Sequence, residues 1–384
     1  MRRFWIIILL VTGLTHVPFA VGVAHGLGRL GVAHALWIAA AATALSLALF
    51  PGRLNRARRD QPISSARRLL LEEPYFIHWC ATVGALPPAL LGALAVGVRA
   101  LFGATSNAGA ELGLVCLASY LAAFTLAFYG VVIRRRWVRV RTLDVTIPGL
   151  GEAFEGYRIA QLSDLHIGGL QPRAQGDRWA KKVAKLDVDL VALTGDYVTS
   201  GTAFHADIAA VLSSMKGRDG VVAVMGNHDY FGDGEPLVTL LRAAGVEVLR
   251  NENRQLTRGE DRMTIAGVDD TWTRRADVAR TLAGRDKALP VIALAHDPQL
   301  FPALAKGGAD LVLSGHTHWG QIALPFLASR YNVSQFTYRY HAGLYAEEGA
   351  TLYVHPGLGT TGPPVRVGAP PEITILRLRR PKAA

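Results

Sequence analysis

The chain has 384 residues, half of them hydrophobic and only 18% charged, so it is long enough for two domains and too apolar for both to be soluble. Its two cysteines, Cys80 and Cys116, both lie in apolar stretches, which excludes a disulfide framework and a thiolate-rich metal site. The formal net charge of +11 does not point to nucleic acid as the main partner, because the basic excess gathers beside the apolar stretches, at Arg53, Arg56, Arg58, Arg59, Arg67 and Arg68 and again at Arg134, Arg135, Arg136, Arg139 and Arg141.

Four stretches are long enough to cross roughly 30 Å of hydrocarbon as helices: Phe4 to Ala24, Val32 to Phe50, Phe76 to Val98 and Leu112 to Ile133, each free of Asp, Glu, Lys and Arg. Residues 1–136 therefore read as an all-α transmembrane region, 137–156 as a juxtamembrane connection with the first strand, and 157–384 as a soluble domain. Arg2 and Arg3 precede the first span, six arginines separate the second from the third, and five follow the fourth. By the positive-inside rule the N-terminus, the second loop and everything after Arg134 are expected in the cytoplasm, with membrane lipids as partners. Met1-Arg2-Arg3 before an apolar run also fits a signal peptide, but the length of the run and the second apolar segment at once behind it favour an uncleaved span. His16, His25 and His34 recur every nine residues, two and a half helical turns, so successive members face opposite ways. That spacing disfavours a haem site and favours helix packing, with His25 expected in a Gly-rich loop.

From Val138 the pattern changes to short β-rich runs broken by Gly, Pro, Asp and Asn. Strands are expected at Val138 to Ile147, Tyr157 to Leu162, Leu190 to Leu193, Val221 to Met225, Thr264 to Ala266, Val291 to Ala295, Leu311 to Leu313, Thr351 to Val354 and Glu372 to Leu378. Arg178 to Leu186 and Glu235 to Ala244 have helical spacing, which makes the domain mixed α/β. Five strands run straight into polar clusters: Ser163-Asp164-Leu165-His166, Thr194-Gly195-Asp196, Gly226-Asn227-His228-Asp229, His296-Asp297 and Gly315-His316-Thr317-His318. Strand ends are where an α/β scaffold presents groups to a common crevice. Imidazole, carboxylate and amide donors without thiolate suit divalent manganese, iron or zinc. The candidate ligands are Asp164, His166, Asp196, Asn227, His296, His316 and His318.

Asp-Leu-His, Gly-Asp, Gly-Asn-His-Asp, a separate His and Gly-His-Thr-His, in this order, resemble the signature of the calcineurin-like metallophosphoesterases. The resemblance runs from Tyr157 to Leu378, includes Gly357-Leu358-Gly359 and Pro370-Pro371-Glu372-Ile373, and is nearest the bacterial membrane-associated phosphodiesterase branch. That branch includes enzymes that cleave the diphosphate of UDP-diacylglucosamine. It implies two facing mixed sheets flanked by helices and two divalent ions. Asp164, His166 and His318 would hold one ion, Asn227, His296 and His316 the other, and Asp196 would bridge them. It further implies hydrolysis of a phosphodiester or diphosphate by a metal-bridging hydroxide, with His228 as general acid. The expected substrate is lipid-linked or a nucleotide–lipid, and the expected location the bacterial-type inner membrane.

Two departures bear on this. Where phosphoprotein phosphatases carry a second Asp that orients the histidine, this chain has Thr199, which can hydrogen-bond but brings no charge to His228. Trp319 replaces a usual glycine and could form a wall for a base or an acyl chain, or merely fill surface. Asp269 and Asp270 read as turn formers, Asp229 and Asp297 as residues that cap or orient neighbouring histidines, and His205, His341 and His355 as weaker candidates for substrate contact. The competing functions are a general or cyclic nucleotide phosphodiesterase merely anchored in the membrane, and a sensor or transporter whose phosphoesterase-like domain is regulatory. The latter is disfavoured by the absence of ionisable Asp, Glu, Lys or Arg within the spans.

Overall fold

The computed structural model describes residues 2–382; Met1 and Ala383–Ala384, the outermost residues of the two expected regions, lie outside the described residues. Packing divides the chain into two units. One comprises the chain up to Ala57, Ser64–Arg134 and Pro363–Val365; the other comprises Arg58–Ile63, Arg135–Gly362 and the residues from Arg366 on.

Among the described residues, four helical stretches are long and apolar enough to cross a membrane: Ile6–Arg29, Ala35–Arg56, Ser65–Leu101 and Ala108–Arg136, all in the first unit but for the last two residues. The shortest has 22 residues, and at about 1.5 Å per residue such a helix matches the hydrocarbon thickness. The third begins well before the apolar run, because the Ser64 side chain caps it by accepting from the Arg67 amide at 3.2 Å. The buried Glu72 in its first turns is met by Arg53, Arg56 and Arg67 at 3.4, 3.6 and 3.1 Å. The first stretch is interrupted at His16, between Arg2–Thr15 and Val17–Arg29. The His16 ring is fully buried, with Nδ1 2.7 Å from the Thr12 carbonyl and Nε2 3.0 Å from the Ser46 hydroxyl, so it joins helices as a packing group. His25 lies inside the helix Val17–Arg29, not in a loop; of the glycines around it, Gly22 and Gly26 face Leu117. A Cβ on Gly22 would come within 2.6 Å of the Leu117 backbone nitrogen, so this helix and Ala108–Phe128 approach backbone to backbone, as small residues permit in membrane helices.

The second unit is built on two six-stranded sheets. The first contains β1 (Arg139–Thr146), β2 (Arg158–Leu162), β3 (Leu190–Thr194), β4 (Val221–Val224), β5 (Glu247–Val248) and β12 (Glu372–Arg379), in the order β1-β12-β2-β3-β4-β5. The second contains β6 (Glu252–Arg258), β7 (Asp261–Gly267), β8 (Val291–Leu294), β9 (Leu311–Ser314), β10 (Gly343–Glu347) and β11 (Ala350–Val354), in the order β10-β11-β9-β8-β7-β6. The strands β2, β3 and β4 are mutually parallel, as are β7, β8, β9 and β11. Buried on both faces, β3, β4, β8 and β9 are continuous apolar runs. Alternate side chains divide between layers. Ile159, Leu190, Val222, Ile265, Ile292, Leu294, Leu313 and Leu376 pack between the sheets. Val191, Leu193 and Ala223 face the helices Arg173–Val183, His205–Ser213 and Glu235–Ala243. Val291, Ala293 and Val312 face Phe301 and Leu304 of the short helix Phe301–Lys306.

Ile292 is fully buried between the sheets, on the strand that ends at His296. Ile292→Ala is expected to cost about 2–5 kcal/mol through the cavity it leaves, seen as a lower midpoint in thermal or denaturant unfolding of the detergent-solubilised chain.

Candidate metal centre

Because β2, β3 and β4 run the same way, as do β8 and β9, the clusters that follow them emerge together at strand C-terminal ends. Each chain turns sharply there. Asp164, His166, Asp196, His316 and His318 all have positive φ, between 46° and 71°, a conformation non-glycine residues adopt only when their surroundings impose it. Here the surroundings are backbone bonds between clusters: Asp164 N–H donates to the Gly195 carbonyl at 2.9 Å, His166 N–H to Asp196 at 3.1 Å and Ile167 N–H to Tyr197 at 2.8 Å. The buried Asp229 carboxylate accepts from the amides of Asp196, Tyr197, Val198 and Gly226 at 2.7–3.2 Å, so it braces the neighbouring turns and does not cap a histidine. The turn Gly357-Leu358-Gly359 clamps the first cluster from below, with Leu358 N–H on the Ser163 carbonyl at 3.0 Å and Gly359 N–H on that of Asp164 at 2.7 Å. A Cβ on Gly359 would lie 2.1 Å from the Leu165 carbonyl oxygen, so only glycine fits.

The side chains converge in two groups. Ligand atoms of Asp164, His166, Asp196 and His318 all lie within 4.8 Å of one another, as do those of Asp196, His296 and His316, and Asp196 belongs to both groups. Within the first, His166 Nε2 is 3.0 Å from His318 Nε2 and 3.7 Å from Asp196 Oδ2, and His318 Nε2 is 3.3 Å from Asp164 Oδ1. Within the second, His296 Nε2 is 3.2 Å from Asp196 Oδ2 and 3.2 Å from His316 Nδ1. The remaining candidate, Asn227, is buried, and its Oδ1 has no hydrogen-bond partner, which suits an oxygen available to a cation. Outer partners fix the rings: His296 Nδ1 donates to the Thr194 carbonyl at 2.7 Å, and His316 Nε2 is 3.0 Å from the Tyr338 hydroxyl. The residues present therefore fit a pair of divalent ions held by N and O donors.

Electrostatics point the same way. Burial lowers His166 and His316 to about 3, so at neutral pH both keep a lone pair for a cation. Burial raises Asp164 to about 6. Burial also opposes charge on Asp196 and His296, but their mutual attraction prevails, holding the Asp196 carboxyl well below its usual range and lifting the imidazole to about 10. The carboxylates thus draw positive charge into a dry site.

His228 sits at the edge of the two groups. Its amide donates to Asp196 Oδ1 at 2.9 Å, and its ring meets that of His166 edge-on at 4.8 Å and is flanked by Phe231 at 4.6 Å. The partner of its Nδ1 is the Thr199 backbone carbonyl, at 2.6 Å, not the threonine hydroxyl that the sequence offers. Trp319 is neither a substrate wall nor surface filler. It is 2% exposed, packs against Ala323, Ala328, Ala342 and Ala369, and donates Nε1–H to the Val354 carbonyl at 2.8 Å. Asp270 accepts from Thr273, three residues on, as a turn former does, whereas Asp269 accepts from the distant Tyr230 and Arg250. His205 and His355 are buried, and His355 Nδ1 accepts from the Gly357 amide at 2.9 Å; His341 meets the Tyr345 hydroxyl.

Sequence reasoning missed three features. Arg366, fully buried, donates twice to the Gly359 carbonyl and lies 3.2 Å from His318 Nδ1, bracing ligand and turn together. Tyr338 holds His316, and the exposed ring of Trp272 stands 5.5 Å from that histidine. Only a charge in an otherwise apolar stretch, Val365-Arg366-Val367, could have drawn attention to the first.

The family sequence model described as Calcineurin-like phosphoesterase matches residues 157–320. A Danio rerio protein named transmembrane protein with metallophosphoesterase domain is 34% identical over 269 residues, 66% of this chain and 60% of its own length. The Bacillus subtilis uncharacterized metallophosphoesterase YkuE is 30% identical over 246 residues, 62% of this chain and 86% of its own. Among solved structures, the phosphopantetheinyl hydrolase PptH of Mycobacterium tuberculosis matches 52% of this chain and 88% of its own at 14% identity, with a TM-score of 0.32. The chain spans less than two thirds of the Danio rerio relative and of a Helicobacter pylori one, 60% and 59% of their lengths.

Asp196 is common to both groups, so Asp196→Asn is expected to reduce bound divalent metal from about two ions per chain toward none, whereas His296→Asn loses about one. Elemental analysis of the dialysed protein measures both.

Proposed function

We propose, from the premise that this chain belongs to the calcineurin-like metallophosphoesterase family, that it hydrolyses a phosphodiester or diphosphate in a lipid-linked or nucleotide–lipid substrate at the membrane. Metal-dependent phosphoester hydrolysis is the activity the family implies; the substrate class and its setting are our reading. The observation that carries the chemistry is the Asp196 carboxylate shared between two groups of imidazole and carboxylate donors.

Asp164, His166 and His318 would hold one ion, Asn227, His296 and His316 the other, and Asp196 both. Ions bound there would activate a water for attack on phosphorus and neutralise the phosphoryl oxygens. The chain's own part in proton transfer falls to His228. A carbonyl can only accept, so the Nδ1 that faces Thr199 must carry a proton, and Nε2 is the nitrogen left to give one to the departing oxygen.

Support for a lipid-linked substrate comes from composition and from the rim. Among the described residues four helices are apolar enough to span a membrane, more than an anchor needs, and the last of them reaches Arg136, only a few residues before β1. Phe231 and Trp272, 43% and 59% exposed, stand beside His228 and His316 and offer apolar surface to an acyl chain or a base. The arginines that follow the second and fourth spans support a cytoplasmic catalytic unit.

Detergent-purified wild type and Asp196→Asn, supplied with manganese or zinc, test the reading on UDP-diacylglucosamine in mixed micelles and on a water-soluble aryl phosphodiester. Wild type is expected to cleave both, and the variant to lose at least about a hundredfold on each. Turnover of the soluble ester alone would make the substrate a nucleotide or another soluble diester, with the membrane region an anchor.

A further inference from the structure

Between β9 and β10 the chain forms a long loop that starts just after His318 and returns at Tyr338, whose hydroxyl lies 3.0 Å from His316 Nε2. Both ends of the loop are therefore rooted at the metal centre. Its base is fixed to the residue after Arg366: the Ala323 amide donates to the Val367 carbonyl at 2.8 Å, and the Val367 amide to the Gln321 carbonyl at 2.9 Å. Its two arms pair, with Leu324 N–H on the Tyr331 carbonyl at 2.9 Å and Val333 N–H on that of Ile322 at 3.2 Å.

The loop is built inside out. The side chains it buries are small or polar, Ala323, Ala328, Asn332 and Ser334. Asn332 Nδ2 donates to the Ala328 carbonyl at 2.8 Å, and Asn332 Oδ1 accepts from the Ser334 hydroxyl. The large apolar side chains Ile322, Leu324, Phe326, Leu327, Val333 and Phe336 are the exposed ones, Phe326 fully and Phe336 to 83%. In water the hydrophobic effect favours the reverse order, and apolar side chains gathered on one exposed loop mark a partner. Because polar bonds hold the loop's shape, those side chains are available to that partner.

The chemistry of the loop indicates which partner. From Gln321 to Ala346 the sequence has two arginines and no acidic residue. Arg339 is engaged by Glu347 at 2.9 Å, whereas Arg330 is exposed, with its guanidinium 5.7 Å from the ring of Tyr331. Leucine and phenylalanine tips accompanied by tyrosine and arginine match the boundary of a bilayer, where acyl chains receive the first and anionic headgroups the second. A bilayer is also within reach. In sequence only Trp137 and Val138 separate the apolar stretch Ala108–Arg136 from β1, so a membrane that holds that stretch keeps this unit at its surface.

We propose that residues 322–336 are a membrane-docking loop: Leu324, Phe326, Leu327, Val333 and Phe336 enter the boundary between headgroups and acyl chains, and Arg330 meets lipid phosphate there. Since the loop hangs between His318 and Tyr338, docking brings the metal centre to the lipid surface, where a lipid-linked substrate reaches it without leaving the bilayer. That last consequence rests on the reading of the substrate as lipid-linked; the docking itself does not.

The test places single copies of the full-length protein, with Cys80→Ala and Cys116→Ala as background, in phospholipid nanodiscs that contain anionic lipid. A nitrobenzoxadiazole fluorophore on Phe326→Cys reports docking, and one on Glu260→Cys, in the exposed turn between β6 and β7, is the reference. Exchange of the phospholipid for its acyl-brominated form is expected to quench the first probe at least about twofold and the reference by less than about a tenth. A Phe326→Cys probe quenched no more than the reference overturns the proposal. So does a probe that is shielded only when two copies share a disc, which would make the patch an interface between copies.

A second arm reads turnover. Phe326→Glu combined with Phe336→Glu is expected to slow cleavage of UDP-diacylglucosamine in the discs about tenfold and to leave methyl p-nitrophenyl phosphate turnover within about twofold, with metal content and melting temperature unchanged. Equal loss on both substrates, or none on the lipid, overturns the delivery of substrate by docking. If wild type cleaves the soluble ester alone, the lipid reading of the substrate fails, and the quenching result decides the docking by itself.

Discussion

A carboxylate taken out of water must be met by positive charge or by N–H donors, and the catalytic unit is arranged around meeting that demand at Asp196. This side chain is 1% exposed, accepts from the His228 amide and contacts the rings of His166 and His296. Those rings arrive from β2 and β8, strands of different sheets, so the electrostatic requirement can be satisfied only if the two sheets hold a fixed separation and stagger. The dry interlayer of Ile159, Leu190, Ile292, Leu313 and their neighbours holds it. Packing sets the geometry, and charge makes that geometry matter.

Strain belongs to the same account. Five candidate ligands sit at positive φ, each at a cost of order 1–3 kcal/mol, and none of these turns could persist on an isolated loop. They persist because the loops hold one another. Asp229 gathers four amides of the neighbouring turns, the Gly359 turn takes the Asp164 carbonyl, and Arg366 ties that turn to His318. A buried arginine on a carbonyl is costly in isolation, but here it braces a site already rich in carboxylate.

How much of this the sequence discloses depends on where each residue sits. The ligands were legible because five apolar runs end in Asp, His or Asn, and a strand that ends in a metal-capable residue is an unusual word in a soluble domain. The strands β6 and β10 were not legible. Glu252–Arg258 is polar but for Leu256 and Gly343–Glu347 is half exposed, because each lies at the edge of the second sheet and is fixed mainly by its hairpin partner. The glycine of each tight connection, Gly259 and Gly349, has positive φ and was the available signal. Trp319 misled for a related reason: beside two histidines it looks like a site residue, but its positive φ turns the ring away into a small alanine-lined core. The acceptor of His228 was hidden altogether, since a backbone carbonyl leaves no mark on a sequence.

The apolar region shows the opposite balance. Hydropathy alone locates its four helices but underestimates their reach, because Ser64 caps the third one ahead of its apolar run, and Glu72 and the arginines that meet it are polar and yet helical. Polar residues extend a helix when their charges are paired, and that pairing is invisible to a sum over residues. The same blindness explains why Asp60 draws no attention in the sequence. It lies among arginines, where an acidic residue reads as surface charge, and its burial depends on two glycines more than a hundred residues away. A carboxylate that stands in the sequence between two apolar helices thus packs with residues of the catalytic unit. The boundary between apolar region and enzyme is therefore not a single point in the sequence.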